Sequence, residues 1–235
     1  MDIKDFYYKE KIKSYFINKN KLIDFLLKTA TNRKKGIKIL SLGCGTGEEI
    51  EVLSKYGDVY AIDINKEILK FIDNNLCKEI KICDACNINF EDNFFDIVCG
   101  FDILEHIEDD KKAVEEIYRV LKPYGKFVFT VPAFNFIFSS HDMVLGHKRR
   151  YNINMVKRLF SKFRFEQLFF YQYILFPFMV VFRILRKKSK NIDWSAVPSL
   201  GFSLIDIFSK LEIILLKFNI KFNLFGLTLC GVVKK

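Results

Sequence analysis

The chain is 235 residues long, half of them hydrophobic, with a formal net charge of +10. That length suits one large domain, or one domain with an insert, and the apolar fraction excludes general disorder. Residues 141–190 hold 12 Lys/Arg against 2 Asp/Glu, a net +10, so the remainder is near neutral and any anionic ligand or surface is expected to dock on that one segment.

The first residues, MDIKDFYYKEK, lack the apolar core of an export signal, so a cytoplasmic location is expected. The six cysteines (Cys44, Cys77, Cys83, Cys86, Cys99 and Cys230) are accordingly expected to be reduced thiols. Cys83 and Cys86 form a lone CxxC, two ligands short of a structural zinc site. Residues 1–35 read as two helical stretches, the second being KLIDFLLKTA with Leu22, Phe25 and Leu26 at helical spacing.

Next, KIL enters SLGCGTGEEIEVLSKYG and DVYAIDIN follows. Strand, glycine loop, helix and a second strand ending in an acid have the spacing of a right-handed βαβ unit. Gly43, Gly45 and Gly47 let the backbone turn tightly and approach a ligand without Cβ atoms in the way. Asp63, 16 residues after Gly47, stands where a carboxylate accepts hydrogen bonds from a ribose diol. A dinucleotide fingerprint would require glycine at Glu48, and the Glu48–Glu49 pair puts negative charge where a pyrophosphate would sit. NAD is therefore disfavoured, and a cofactor without phosphate suits the loop.

Four segments, ILSLGCGTG (39–47), AIDIN (61–65), CDACNINFEDNFFDIVCGFDILEHI (83–107) and RVLKPYGKFVFTVP (119–132), follow one another in the order and separation of a known group. The sequence resembles the class I S-adenosylmethionine-dependent methyltransferases over about 39–132. The resemblance implies an α/β fold, a Rossmann-like, seven-stranded, mostly parallel sheet flanked by helices, with S-adenosyl-L-methionine as cofactor. It implies that Gly43, Cys44, Gly45 and Gly47 wrap the methionine part, and that Asp63 and Ile64 meet the ribose. Asp84 and Ala85 would lie at the adenine edge, with Gly100, Phe101 and Asp102 beside the sulfonium. The family usually has an acid where Ser41 stands. Ser41 offers a hydrogen bond but no charge to the methionine ammonium, unless another acid compensates.

His106 lies in ILEHIEDDKKAVEEIYRVLKPYGKF, where Ile107, Val114, Ile117 and Leu121 share a helical face. It either orients the sulfonium pocket or bonds backbone at the strand end. The segment VPAFNFIFSSHDMVLGHKRRY continues from the strand KFVFTVP, at the sheet edge where α/β folds bind ligands. This loop is expected to hold the methyl acceptor. His147 or His141 would take a hydroxyl proton, Lys148, Arg149 and Arg150 would bind a phosphate or carboxylate, and Tyr151 would close the pocket. A metal at His141, Asp142 and His147 would need a third ligand from elsewhere, and methyl transfer from a sulfonium needs none, so no metal is expected. The HD…LGHKRRY pattern is similar to that of a bacterial methyltransferase subgroup associated with cell-surface glycan or lipid genes.

Residues 168–182 are apolar or aromatic except Gln172, and the basic residues Arg183, Arg186, Lys187, Lys188 and Lys190 follow. The run is short for a membrane span and is interrupted by Pro177. It is read as a helical lid or membrane-facing insert in the interfacial layer, giving peripheral contact with anionic lipid on the inner face of the cell membrane. The helix LIDIFSKLEIILLKFN would pack on it, and LTLCGVVKK would return to the sheet as a strand. The expected organisation is thus N-terminal helices (1–35), a cofactor-binding core (36–135), an acceptor loop with lid (136–222) and a final strand (223–235). The expected activity is methyl transfer to a small or lipid-linked acceptor, at oxygen. A nucleic acid partner is disfavoured, because the aromatics run continuously with aliphatic residues. A scaffold that keeps a nucleoside pocket without catalysis is the other class considered, and oligomeric state is left open.

Overall fold

The computed structural model describes residues 3–31, 36–185 and 199–235, with side chains described over 16–31, 36–183 and 206–235. The elements in chain order are α1 (Ile3–Thr31), β1 (Ile37–Leu42), α2 (Ile50–Ser54), β2 (Gly57–Asp63), α3 (Lys66–Leu69), β3 (Glu79–Ile82), β4 (Phe95–Phe101), α4 (Asp110–Val120) and β5 (Leu121–Pro132). They continue with α5 (Ser140–Val144), α6 (Ile153–Leu159), β6 (Arg164–Tyr171), α7 (Phe176–Leu185), α8 (Ser199–Lys217) and β7 (Thr228–Lys234).

The strands form one seven-stranded sheet in the order β3-β2-β1-β4-β5-β7-β6. The first five are mutually parallel, and β7 runs antiparallel between β5 and β6. The chain starts in the middle at β1 and winds outward first through β2 and β3, then through β4 and β5. Strand order therefore reverses between β1 and β4, and the crevice beyond their carboxyl ends is where such sheets take ligands.

The central strands are apolar on both faces, as a sheet covered by helices on both sides requires. Ile37, Ile39, Val59, Ile97, Cys99, Val128, Cys230 and Val232 face one layer, packed with Leu22, Ile23, Leu26 and Leu27 of α1 and with Ile213 and Leu216 of α8. Leu40, Leu42, Val98, Phe127, Phe129 and Val233 face the other, with Val114 and Ile117 of α4 and with Val156 of α6 and the Phe160 that follows it. On the first face, α1 is one continuous helix, not two. α4 begins behind Asp109, whose side chain accepts a hydrogen bond from the Lys112 amide, the local N-cap its sequence prescribes.

The apolar run at 168–182 is not a membrane-facing helical insert. Its first part is the end of β6, an edge strand paired with β7 from Arg164 to Tyr171. Gln172, at φ +57°, then breaks the strand, and only Phe176–Leu185 is helical. No helix among the described residues is long and apolar enough to cross a membrane. The physical reason is that alternate residues of β6 must bury against the sheet, so Phe169 and Tyr171 join one core layer and Phe170 the other. A strand buried on both faces reads as the same uninterrupted apolar run as a buried helix. Arg186, Lys187, Lys188 and Lys190 lie outside the described residues.

Candidate active site

At the carboxyl end of β1 the chain turns through Gly43, Gly45 and Gly47, at φ +65°, +53° and +82°. The amides of Gly43 and Cys44 both donate to the Ile62 carbonyl at the end of β2, at 2.9 and 3.0 Å. Asp63 ties the loop from the other side, accepting from the Gly45 amide at 3.0 Å and from the Asn65 amide at 2.9 Å. A Cβ on Gly43 would lie 2.4 Å from the Ile103 side chain, whereas one on Gly45 would meet nothing within 4 Å. One glycine is therefore required by packing, and the other faces open space at the crevice. Ile64 is 71% exposed and Asp84 is exposed, so both flank that opening. Asp84 also accepts from the Cys86 amide at 2.8 Å, and half-buried Ala85 lies between them.

An acid stands beside Ser41. The Ser41 hydroxyl, at the end of β1, donates to Glu49 Oε1 at 2.6 Å. Desolvation raises the Glu49 pKa, against the Ser41 hydrogen bond and the Lys19 charge, which lower it. Across the crevice Gly100 and Phe101 are buried at the end of β4, and Asp102 follows at φ +53°. Asp102 accepts from the Thr130 hydroxyl at 3.0 Å and pairs with Lys19 of α1 at 2.8 Å. Burial pushes the Asp102 pKa up, but the Lys19 charge and the two hydrogen bonds outweigh it and hold the carboxylate below its ordinary range.

The loop after β5 returns to the point where it left. The Tyr151 amide donates to the Pro132 carbonyl and the Phe134 amide to the Tyr151 carbonyl, each at 2.8 Å, so residues 134–150 form a closed excursion. Its hub is Asp142, fully buried at the start of α5. Oδ1 accepts from His147 Nδ1 at 3.0 Å and from Arg150 at 2.8 and 2.6 Å; Oδ2 accepts from the Ser139 amide and from Arg183, each at 2.9 Å. Burial pushes the Asp142 pKa up, yet the bonds from His147 and Arg150 and the charges of Arg150 and Arg183 hold it far below the carboxylate range. The loop is pinned to the end of β4 as well, since the Lys148 amide donates to the Glu105 carbonyl at 2.8 Å.

This packing sorts the predicted acceptor residues. His147 turns its Nε2 toward Glu105, 3.9 Å from Oε1, and its ring meets His106 edge-on with centroids 4.8 Å apart. His141 is half-buried, and burial together with the Arg183 charge lowers its pKa to about 4. Arg150 is 3% exposed and committed to Asp142 and the Ala133 carbonyl. Tyr151 is equally buried, its hydroxyl 3.1 Å from the Leu104 carbonyl and 2.9 Å from Asp110. Neither is free in this arrangement to hold an acceptor anion or close a pocket. Arg149 pairs with Asp110 at 2.9 Å and donates to the Glu108 carbonyl, and exposed Lys148 pairs with Glu108 at 2.5 Å. The positive segment is thus partly neutralised by acids from the stretch after β4.

Three site residues had not been picked out from sequence. Lys19 carries no local signal, because only the packing of α1 brings it to Asp102. Glu49 had a signal, the second acid of a pair directly after the last glycine, but was read only as a repellent of phosphate. Glu105 sits in the quoted ILEHI and is wholly buried, with both carboxylate oxygens unpartnered. Burial, and secondarily the Asp102 charge, push its pKa well above the carboxylate range.

Residues 40–129 match the family model of a methyltransferase domain. The Methanocaldococcus jannaschii protein MJ1252 is 34% identical over 135 residues, covering 56% of this chain and 52% of its own length. Demethylmenaquinone methyltransferase of Lactobacillus johnsonii is 40% identical over 105 residues, covering 40% of this chain and 43% of that protein. The chain spans about half the length of the curated relatives it matches. Among solved structures, phosphoethanolamine N-methyltransferase 2 of Haemonchus contortus, in complex with S-adenosyl-L-methionine, superposes with a TM-score of 0.59 at 21% identity, over 89% of this chain and 51% of that one. The [4+2]-cyclase SpnF superposes at 0.60 with 16% identity, over 92% and 81%, so these likenesses speak for the fold alone. Residues 40–129 are thus similar to a methyltransferase domain, and S-adenosyl-L-methionine is the molecule held by the Haemonchus contortus enzyme that shares the fold. The residues present suit that molecule, with open space over Gly45 and acids at Asp63, Glu49 and Asp102.

Proposed function

We propose that this protein transfers the methyl group of S-adenosylmethionine to an oxygen of a small-molecule acceptor entering beside Asp102 and His147. The cofactor supplies an electrophilic methyl group on a sulfonium. Asp63 holds the ribose of its nucleoside end, while the loop through Gly45 wraps the methionine part and Glu49, supported by Ser41, meets the methionine ammonium. Asp102 lies at the reacting end, where the acids and the nearby loop orient the acceptor against the methyl, and that alignment supplies much of the rate.

The observation that carries the oxygen assignment is the Asp142–His147 pair. Asp142 occupies Nδ1 at 3.0 Å, which fixes the ring and turns Nε2 toward Glu105, leaving that nitrogen to activate a hydroxyl. His147 is favoured over His141, which lies beside Arg183 on the far side of Asp142. A small acceptor is supported by the named relatives, a demethylmenaquinone methyltransferase and a phosphoethanolamine N-methyltransferase.

The test is single-turnover methyl transfer with labelled cofactor at saturation, across a panel of hydroxylated small molecules, with the methylated atom identified. His147→Ala should lower the rate by about 100- to 10,000-fold, the usual range for a lost acid–base group, while S-adenosylhomocysteine affinity stays unchanged by calorimetry. An unchanged rate, or methylation at carbon or nitrogen, would overturn the oxygen reading. Binding of NAD in place of S-adenosylhomocysteine would sink the whole assignment.

A further inference from the structure

Glu105 poses a chemical problem that the reading above leaves unsolved. A fully buried carboxyl group with neither oxygen hydrogen-bonded is uncommon in a folded protein and calls for a partner. Its neighbours are two imidazoles. One ligand atom each from Glu105, His106 and His147 lie within 4.8 Å of one another. His147 is held from behind, giving Nδ1 to Asp142, and the His106 ring meets it edge-on. A histidine whose one nitrogen is fixed by a carboxylate or carbonyl and whose other nitrogen points into a shared space is the usual arrangement of a metal-ligating histidine.

We propose that Glu105, His106 and His147 form a binding site for one divalent transition-metal ion, which activates the acceptor oxygen. Two imidazole nitrogens and one carboxylate oxygen are a donor set suited to zinc, cobalt or iron, with coordination positions left open for a substrate. Bonds of about 2.0–2.2 Å require the three donors to close in by roughly one ångström, a movement of side-chain ends that needs no shift of backbone. The ion would also give the Glu105 oxygens a partner: Asp102 has Lys19, and Asp142 has Arg150 and Arg183, whereas Glu105 has only His147 Nε2 at 3.9 Å and no hydrogen bond. Sequence alone suggested His141 and Asp142 as companions of His147. The fold instead makes Asp142 the outer support of His147 and brings the ligands from the end of β4.

This inference rests on the oxygen reading and gives it a mechanism. An acceptor hydroxyl at an open position on the ion loses its proton to water, because the cation lowers the hydroxyl pKa. Its lone pair then forms the new O–C bond as the C–S bond breaks, and that electron pair stays on sulfur. With the ion bound, His147 activates the hydroxyl as a ligand in place of taking the proton on its own ring, and its replacement still removes that activation.

The test is a titration of the chelator-treated full chain with Co2+, read by ligand-field absorption and by metal analysis after gel filtration. One Co2+ per chain is expected. His147→Ala and the near-isosteric Glu105→Gln should each weaken binding by about tenfold or more, while Cys83→Ser and Cys86→Ser leave it unchanged. Retained S-adenosylhomocysteine binding by Glu105→Gln would show that its fold is intact. Absence of bound Co2+, or equal binding by the variants and the parent, would overturn the proposal. If no ion binds yet His147→Ala still abolishes methylation at oxygen, the metal site falls and the oxygen reading stands. If the ion binds as expected but methylation occurs at carbon or nitrogen, the reverse holds.

Discussion

The glycine loop after β1 and the histidine loop after β5 both lie at the carboxyl end of the sheet, but they bind by different physics. In the first, backbone geometry does most of the work. Three left-handed glycines and a single carboxylate, Asp63, shape the crevice within about two dozen residues of sequence. In the second, side chains do it, and their partners are distant: Arg183 reaches Asp142 across 41 residues, and Arg149 reaches Glu108 across the same separation. A backbone-built site tolerates changes of neighbouring charge and fails on a change of shape. A charge-built site does the opposite.

The largest effect should come from breaking the charge hub. Asp142→Asn leaves Arg150 and Arg183 buried beside a neutral amide, and unpairing a buried ion pair costs about 3–5 kcal/mol. Urea denaturation should show a loss of that order, together with loss of the acceptor reaction. A loss under about 1 kcal/mol would show that the two guanidinium groups find other partners. On the glycine side, Gly43→Ala forces a Cβ to 2.4 Å from Ile103 at φ +65°. The left-handed conformation alone costs roughly 1–2 kcal/mol, so stability and S-adenosylhomocysteine affinity should fall together. Gly45→Ala, with open space around it, should reduce affinity more than stability.

Glu49→Gln sharpens the comparison by placing a charge effect inside the backbone-built loop. If Glu49 meets the methionine ammonium, calorimetry should show cofactor affinity weakened by about tenfold or more, the scale of a lost charged hydrogen bond. Unchanged affinity would make Ser41–Glu49 a packing contact only. The smallest effect concerns pH. His141 has a folded pKa near 4 against an ordinary 6.5, so the unfolded chain binds the proton first. Its contribution to stability is complete above about pH 6.5 and is lost as pH falls toward 4. Denaturant midpoints should decline over that window, and His141→Gln should flatten the decline.

The same contrast explains what was legible beforehand. Gly43, Gly45, Gly47 and Asp63 could be found because each does its work through local backbone, where spacing along the chain equals spacing in the fold. The dense positive charge of residues 141–190 was legible as composition, but the pairing of its cations was not. Arg149 and Lys148 are paired with Asp110 and Glu108, acids counted in the neutral first part of the chain. The stretch 168–182 misled for a related reason, since hydropathy reports burial and does not say whether a helix or a two-sided strand is being buried.

By itself, then, the sequence determined the βαβ start, the glycine turns and the carboxylate that ends β2, because short-range geometry dictates them. Only the tertiary structure decided that Lys19 faces Asp102, that Glu49 accepts from Ser41, and that Glu105 and His106 meet His147. Those contacts join residues from separate elements, and their positions depend on how α1, β4 and the loop after β5 pack around one sheet edge. No periodicity or motif along a single chain encodes a distance between elements. The burial that makes Glu105 and Asp142 chemically consequential exists only once the layers have closed over them.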